Sequence, residues 1–151
     1  MVIFVNKILT FVVNELNEIL LLKGNQNDPQ FNKSFWYTVT GGYEKKDKKL
    51  ENTVIREVKE ETGLIVKECI YLNWIFKYES LGKNCIEYVY MSFVKKDNVI
   101  LNEESTSFIW CDLDEFIKKT KWYGNKTYLK KVLSYALQRK IFFKKEEIEE
   151  F

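Results

Sequence analysis

Residues 41–64, GGYEKKDKKLENTVIREVKEETGL, constrain the fold of this chain more than any other stretch. Two glycines open it, a charged loop follows, and residues 50–62 then run without proline or glycine. Apolar side chains at Leu50, Val54, Ile55 and Val58 recur at helical spacing. Gly63 stands where a left-handed helix cap favours a residue lacking Cβ. The spacing predicts a helix over 50–62, with Val54, Ile55 and Val58 anchoring it on a sheet. Glu57, Glu60 and Glu61 occupy i, i+3 and i+4, so at about 100° per residue they share one face. Three carboxylates gathered in this way repel one another, and a bound divalent cation would remove the repulsion. Oxygen-only donors suit Mg²⁺ or Mn²⁺. For an acidic triplet taken alone, a solvated face paired with Lys59 and Arg56 is the plainer reading. Here the upstream glycine pair, the arginine before the first glutamate and the closing Gly63-Leu64 argue against it.

Composition limits what else the chain can be. Its 151 residues are enough for one domain with a real core, and 46% hydrophobic with a single proline argues against disorder. Lys and Arg number 24 against 22 Asp and Glu, a balance that favours neither a nucleic-acid partner nor a membrane surface. Cys69, Cys85 and Cys111 are odd in number, far apart and without a C-x-x-C pair, so reduced, packed thiols are expected. The absence of histidine removes the usual zinc sites and the His-dependent nucleophilic triads. An enzyme with this composition must work with carboxylates or a metal. The apolar start is broken by Asn6 and Lys7 and lacks a signal-type cleavage site, which leaves the cytoplasm as the expected location.

Around the central stretch, 8–13 and 19–23 read as strands joined by a polar hairpin connection at 14–18. Residues 24–32 read as a loop, and 35–40 as a third strand ending at Gly41-Gly42. Further strands are expected over 64–78, 86–94 and 108–111, with a turn at Gly82-Lys83-Asn84. Helices are expected over 112–119 and 126–140, and the charged tail 144–151 reads as a frayed end. The expected architecture is one α+β domain spanning 1–151.

The central stretch resembles the Nudix box, G-x5-E-x7-R-E-U-x-E-E-x-G-U with U aliphatic. Gly42 matches its first position, Arg56-Glu57-Val58 its R-E-U, Glu60-Glu61 its E-E and Gly63-Leu64 its close, so the box covers 42–64 without a gap. The resemblance implies an α/β/α sandwich with a mixed sheet, the box forming a loop-helix-loop, and a Mg²⁺-dependent hydrolase of phosphoanhydride bonds. Carried over by position, Gly42, Glu57, Glu60 and Glu61 are the implied metal ligands. Arg56, Glu60 and Glu104 are implied in the chemistry, with Glu104 as a second metal ligand or general base. One position departs: Lys48 stands where the family has its first glutamate, which braces the box arginine. Asp47 or Glu44 could supply that carboxylate if the loop shifts.

Outside the box, Phe35-Trp36, Thr40-Gly41, Glu87, Glu104 and Trp122 with Asn125-Lys126 form a scattered pattern. It is similar to bacterial dihydroneopterin triphosphate or dATP pyrophosphohydrolases. On that likeness the partner is a nucleotide or pterin triphosphate, with Trp36 and Asn125 as substrate-binding residues. A catalytically weak module that binds nucleotide as a sensor is the rival, kept open by Lys48. An RNA-end hydrolase would call for an electropositive channel that the charge balance does not suggest.

Overall fold

The computed structural model describes residues 3–24 and 35–151. Strand β1, Phe4–Val13, is the hub of an eight-stranded mixed sheet. It runs parallel to β6, Lys83–Val94, and antiparallel to β4, Val39–Gly42. Against β2, Ile19–Gly24, it pairs only at Val13↔Ile19 before the two strands diverge. The connection between them is closed by Asn14, whose Oδ1 accepts from the backbone N–H of Leu16 and Glu18 at 2.9 and 3.1 Å. Short β3, Trp36–Tyr37, and β7, Ser105–Cys111, flank β2, while β5, Val66–Ser80, and β8, Glu147–Glu150, lie beyond β6.

Alternation along β1 explains the two layers packed on this sheet. Leu9, Phe11 and Val13 face one core with Phe116, Leu129, Val132 and Leu133. These last four come from α2, Leu113–Lys119, and α3, Lys126–Leu137. Ile8 and Val12 face the other core, with Val54 and Val58 of α1, Leu50–Thr62. A strand buried on both faces reads as a continuous apolar run, which is what 8–13 is. The sheet with one helix below and two above is the expected α/β/α sandwich. No helix among the described residues is long and apolar enough to cross a membrane. All three cysteines are free thiols.

Several local expectations are corrected. Residues 35–40 do not form one strand: β3 and β4 are separated at Thr38, and Gly41-Gly42 belong to β4 instead of ending it. Ile55 is exposed, so of the three only Val54 and Val58 anchor α1, with Leu50 packed beside them. The third helix stops at Leu137, short of 140. Most of the loop expected at 24–32 lies outside the described residues. The charged tail is not frayed. Its Glu147–Glu150 segment adds a parallel edge strand to β5, Glu149 accepts from the Trp74 indole N–H at 2.7 Å, and Phe151 packs edge-on against Phe76. Glu147 and Glu149 are its half-buried residues while Ile148 is exposed, and inward-pointing charge of this kind is a usual feature of edge strands.

Deleting residues 147–151 should remove these contacts and lower stability by about 2 kcal/mol, or roughly 5 °C in Tm. Thermal denaturation of the truncated chain checks this, and an unchanged Tm would mean the tail contributes nothing to the fold.

Candidate active site

The box begins at the end of β4 and continues through a 3₁₀ turn, Lys45–Asp47, into α1. Arg56 projects from α1 into this loop and organises it. Its Nε and Nη2 donate to the two oxygens of Asp47 at 2.9 and 3.0 Å, and Nη2 also donates to the Gly42 carbonyl at 2.9 Å. Asp47 is buried, and its Oδ2 also accepts from the Thr53 hydroxyl at 2.8 Å and the Glu44 backbone N–H at 2.9 Å. The Arg56 hydrogen bonds, helped by those from Glu44 and Thr53, hold the Asp47 carboxyl well below the usual carboxylate range. The carboxylate that the box has one residue later is therefore supplied by Asp47. The backbone makes the adjustment at Lys48, which takes φ 70° and ψ −36° and turns its side chain to solvent. Glu44 reaches Arg56 only at 3.9 Å and is half-exposed.

On the other side of Arg56 lie the glutamates. Its Nη1 donates to Glu57 at 2.9 Å and sits 3.3 Å from Glu60. Glu57 lies so close to β4 that a Cβ on Gly41 would fall 2.1 Å from its Cδ, so any larger residue at 41 would displace the Glu57 carboxylate from this position. Sequence reasoning weighed the carbonyl of Gly42 and missed this role of its neighbour. Glu61 is buried, and its Oε2 has no hydrogen-bond partner among the described residues. Burial first, then the nearby Glu57, Glu104 and Glu60, push the Glu61 carboxyl far above the ordinary range. Glu57 is raised as well, chiefly by burial.

Such a set fits a hard divalent cation: every donor is oxygen, and a buried carboxylate oxygen lacks any partner. Among the described residues no three side chains already converge into a closed ligand shell, because Glu60 is turned towards Arg56. Glu57, Glu60, Glu61 and the Gly42 carbonyl are the groups that could hold the ion.

Glu61 and Glu104 lie at one end of a cavity of about 630 Å³. Its other walls come from Lys7, Tyr37, Phe76, Tyr78, Glu87 and Trp122, together with Tyr123 and Phe151. Trp36 does not line this cavity; its ring packs against the core and lies 5.9 Å from the Lys23 ammonium. Asn125 is the N-cap of α3, its Oδ1 accepting from the Tyr128 backbone N–H at 3.0 Å, and it is not part of the cavity wall either. Trp122 is the tryptophan in the wall, and its indole N–H is buried without an acceptor among the described residues.

A family model described as the NUDIX domain matches residues 5–132. No curated protein matches the chain. Among solved structures, the MutT protein from Methanosarcina mazei Go1 is similar over 91% of this chain and 95% of its own, with TM-score 0.67 and 23% identity. A C. elegans Ap4A hydrolase binary complex is similar over 91% and 99%, with TM-score 0.66 and 20% identity. The E. coli dihydroneopterin triphosphate pyrophosphohydrolase is similar over 85% and 94%, with TM-score 0.64 and 19% identity.

Two outcomes follow from the geometry. Asp47→Ala takes the bidentate partner from a largely buried guanidinium and the acceptor from Thr53 and the Glu44 N–H, and should lower stability by about 3 kcal/mol in urea denaturation, whereas Lys48→Glu should change it by less than about 0.5 kcal/mol. The raised Glu61 carboxyl keeps a proton in the folded chain that the unfolded chain releases, so its stabilising contribution is lost as pH rises. With divalent cations chelated, stability should therefore fall between about pH 5 and about pH 9, by up to about 1.4 kcal/mol per pH unit. Glu61→Gln should flatten that slope, as thermal denaturation across the pH series would report.

Proposed function

This chain belongs to the NUDIX domain family, hydrolases that act on pyrophosphate bonds, and from that premise we propose a Mg²⁺-dependent pyrophosphohydrolase. Its substrate is a nucleoside triphosphate or related compound, with dATP and dihydroneopterin triphosphate favoured, and it releases pyrophosphate. The observation that carries this reading is the buried, partnerless Glu61 oxygen at the end of a cavity lined by aromatic side chains.

Glu57, Glu60 and Glu61 would hold the cation with the Gly42 carbonyl, which has one lone pair engaged by Arg56 and a second available. When bound, the ion supplies neutralisation of phosphate charge and activation of water, with Mn²⁺ a workable substitute. Arg56 acts as a positioning residue: tied to Asp47, it fixes Glu57 and the glycine loop relative to each other. Glu104, exposed on the cavity rim near Glu61, takes the proton of the attacking water. A new P–O bond forms from that water, the anhydride P–O bond breaks, and pyrophosphate departs with the released electron pair. The rival sensor reading rests on Lys48, and the Asp47–Arg56 bond is what supports the hydrolase against it.

The test is pyrophosphate and phosphate release with Mg²⁺ from dATP, the other nucleoside triphosphates, dihydroneopterin triphosphate, ADP-ribose and diadenosine polyphosphates. Pyrophosphate release from a triphosphate is expected, falling by roughly two to four decades in Glu61→Gln. Nucleotide binding with no turnover of any compound would return the sensor reading to the front.

A further inference from the structure

Glu87 is the least expected group in the cavity wall. It sits in the middle of β6, only 5% exposed, where burial raises its carboxyl above the ordinary range. The Tyr78 hydroxyl donates to its Oε2 at 2.8 Å. Among the described residues its other oxygen takes no hydrogen bond, and Lys7 is near enough to act on it by charge without forming an ion pair. That second oxygen is open to the cavity and free to accept from a ligand there.

Strand register places it relative to the hydrolytic end. Gly42 of β4 stands opposite Lys7 of β1, Lys7 opposite Glu87 of β6, and Glu87 opposite Phe76 of β5. Glu87 is thus two strands from the box glycine, roughly 10 Å at the usual interstrand spacing. That is the scale separating the phosphates of a nucleotide from the far edge of its ring system. Past Glu87 in the same row the wall is aromatic: Phe76 and Trp122 have ring centroids 5.6 Å apart, and Tyr37 and Trp122 6.4 Å apart. A flat heterocycle suits those faces.

We propose that Glu87 is the residue that reads the substrate's ring, selecting a 2-amino-lactam edge, as in guanine and the pterins. The adjacent ring N–H and exocyclic amine of that edge are two parallel donors, which a carboxyl group accepts together. Adenine offers a ring acceptor next to its amine and would leave one Glu87 oxygen facing a lone pair, so of the two compounds favoured above Glu87 selects the pterin triphosphate over dATP. Tyr78 is the positioning residue, since it fixes the carboxyl through Oε2. This inference rests on the proposed hydrolase only in taking the cavity as the place where substrate binds.

Equilibrium binding without chemistry separates the two. Quenching of tryptophan fluorescence by dGMP, dIMP, dAMP and neopterin gives four Kd values for the wild-type chain. dIMP is the control for dGMP, because it lacks only the 2-amino group. Tighter binding of dGMP than dIMP and dAMP by tenfold or more is expected, and Glu87→Gln should bring the dGMP/dIMP ratio to about one. If neopterin binds tightly and dGMP does not, the edge is still the one read and a pterin is its source. Equal Kd values for dGMP and dIMP with weak neopterin binding overturn the proposal, as does a preference that survives Glu87→Gln. The wild-type comparison stands even if that variant fails to fold. Absence of pyrophosphate release from any triphosphate would sink the hydrolase and leave these Kd values to be judged by themselves.

Discussion

The bidentate contact between Arg56 and Asp47 holds the rest of the site in place. One guanidinium spans the loop carboxylate, the Gly42 carbonyl and Glu57 of the helix, with every donor distance near 2.9 Å. A lysine could not do this, because its ammonium is a single point and cannot present a planar fork. The pairing matters through geometry more than through net energy, since desolvating two charges offsets much of their attraction. Removing one partner is another matter, because the other is then left charged and largely buried.

Around that contact the site brings like charges together and leaves them unbalanced. Glu57 and Glu61 are both pushed upward by burial, and Glu61 has an oxygen with no donor. The apolar side of α1 makes this tolerable: Val54 and Val58 are fully buried against β1 and hold the helix down while its acidic side faces the cavity. Stability gained on one face of the helix offsets strain on the other, a division common at sites awaiting a cation or substrate. Gly41 completes the arrangement by letting Glu57 approach the sheet more closely than any side chain would allow.

The sheet links chemistry to recognition. Because β1 pairs with β4 on one side and β6 on the other, the box glycine, Lys7, Glu87 and Phe76 form one row across four strands. A row of this kind is rigid, since each member is fixed by ladder hydrogen bonds. The C-terminal strand extends the same surface, bringing Phe151 to the cavity wall beside Phe76.

The sequence by itself determined the helix over 50–62, its glycine cap, the shared face of the three glutamates and the family, because these depend on residues close together in the chain. The core strands were legible for the same reason: apolar runs and alternation report burial locally. Only the tertiary structure decided that Asp47, one position early, replaces the missing carboxylate, because that depends on a turn with positive φ at Lys48. It also decided that Trp122 and not Trp36 lines the cavity, and that a charged tail forms a strand. Those outcomes depend on pairings between residues up to about seventy-five positions apart, such as Trp74 with Glu149. No local pattern carries such a pairing, since the same alternation of charge and hydrophobicity is satisfied equally by solvent until a strand edge is there to receive it.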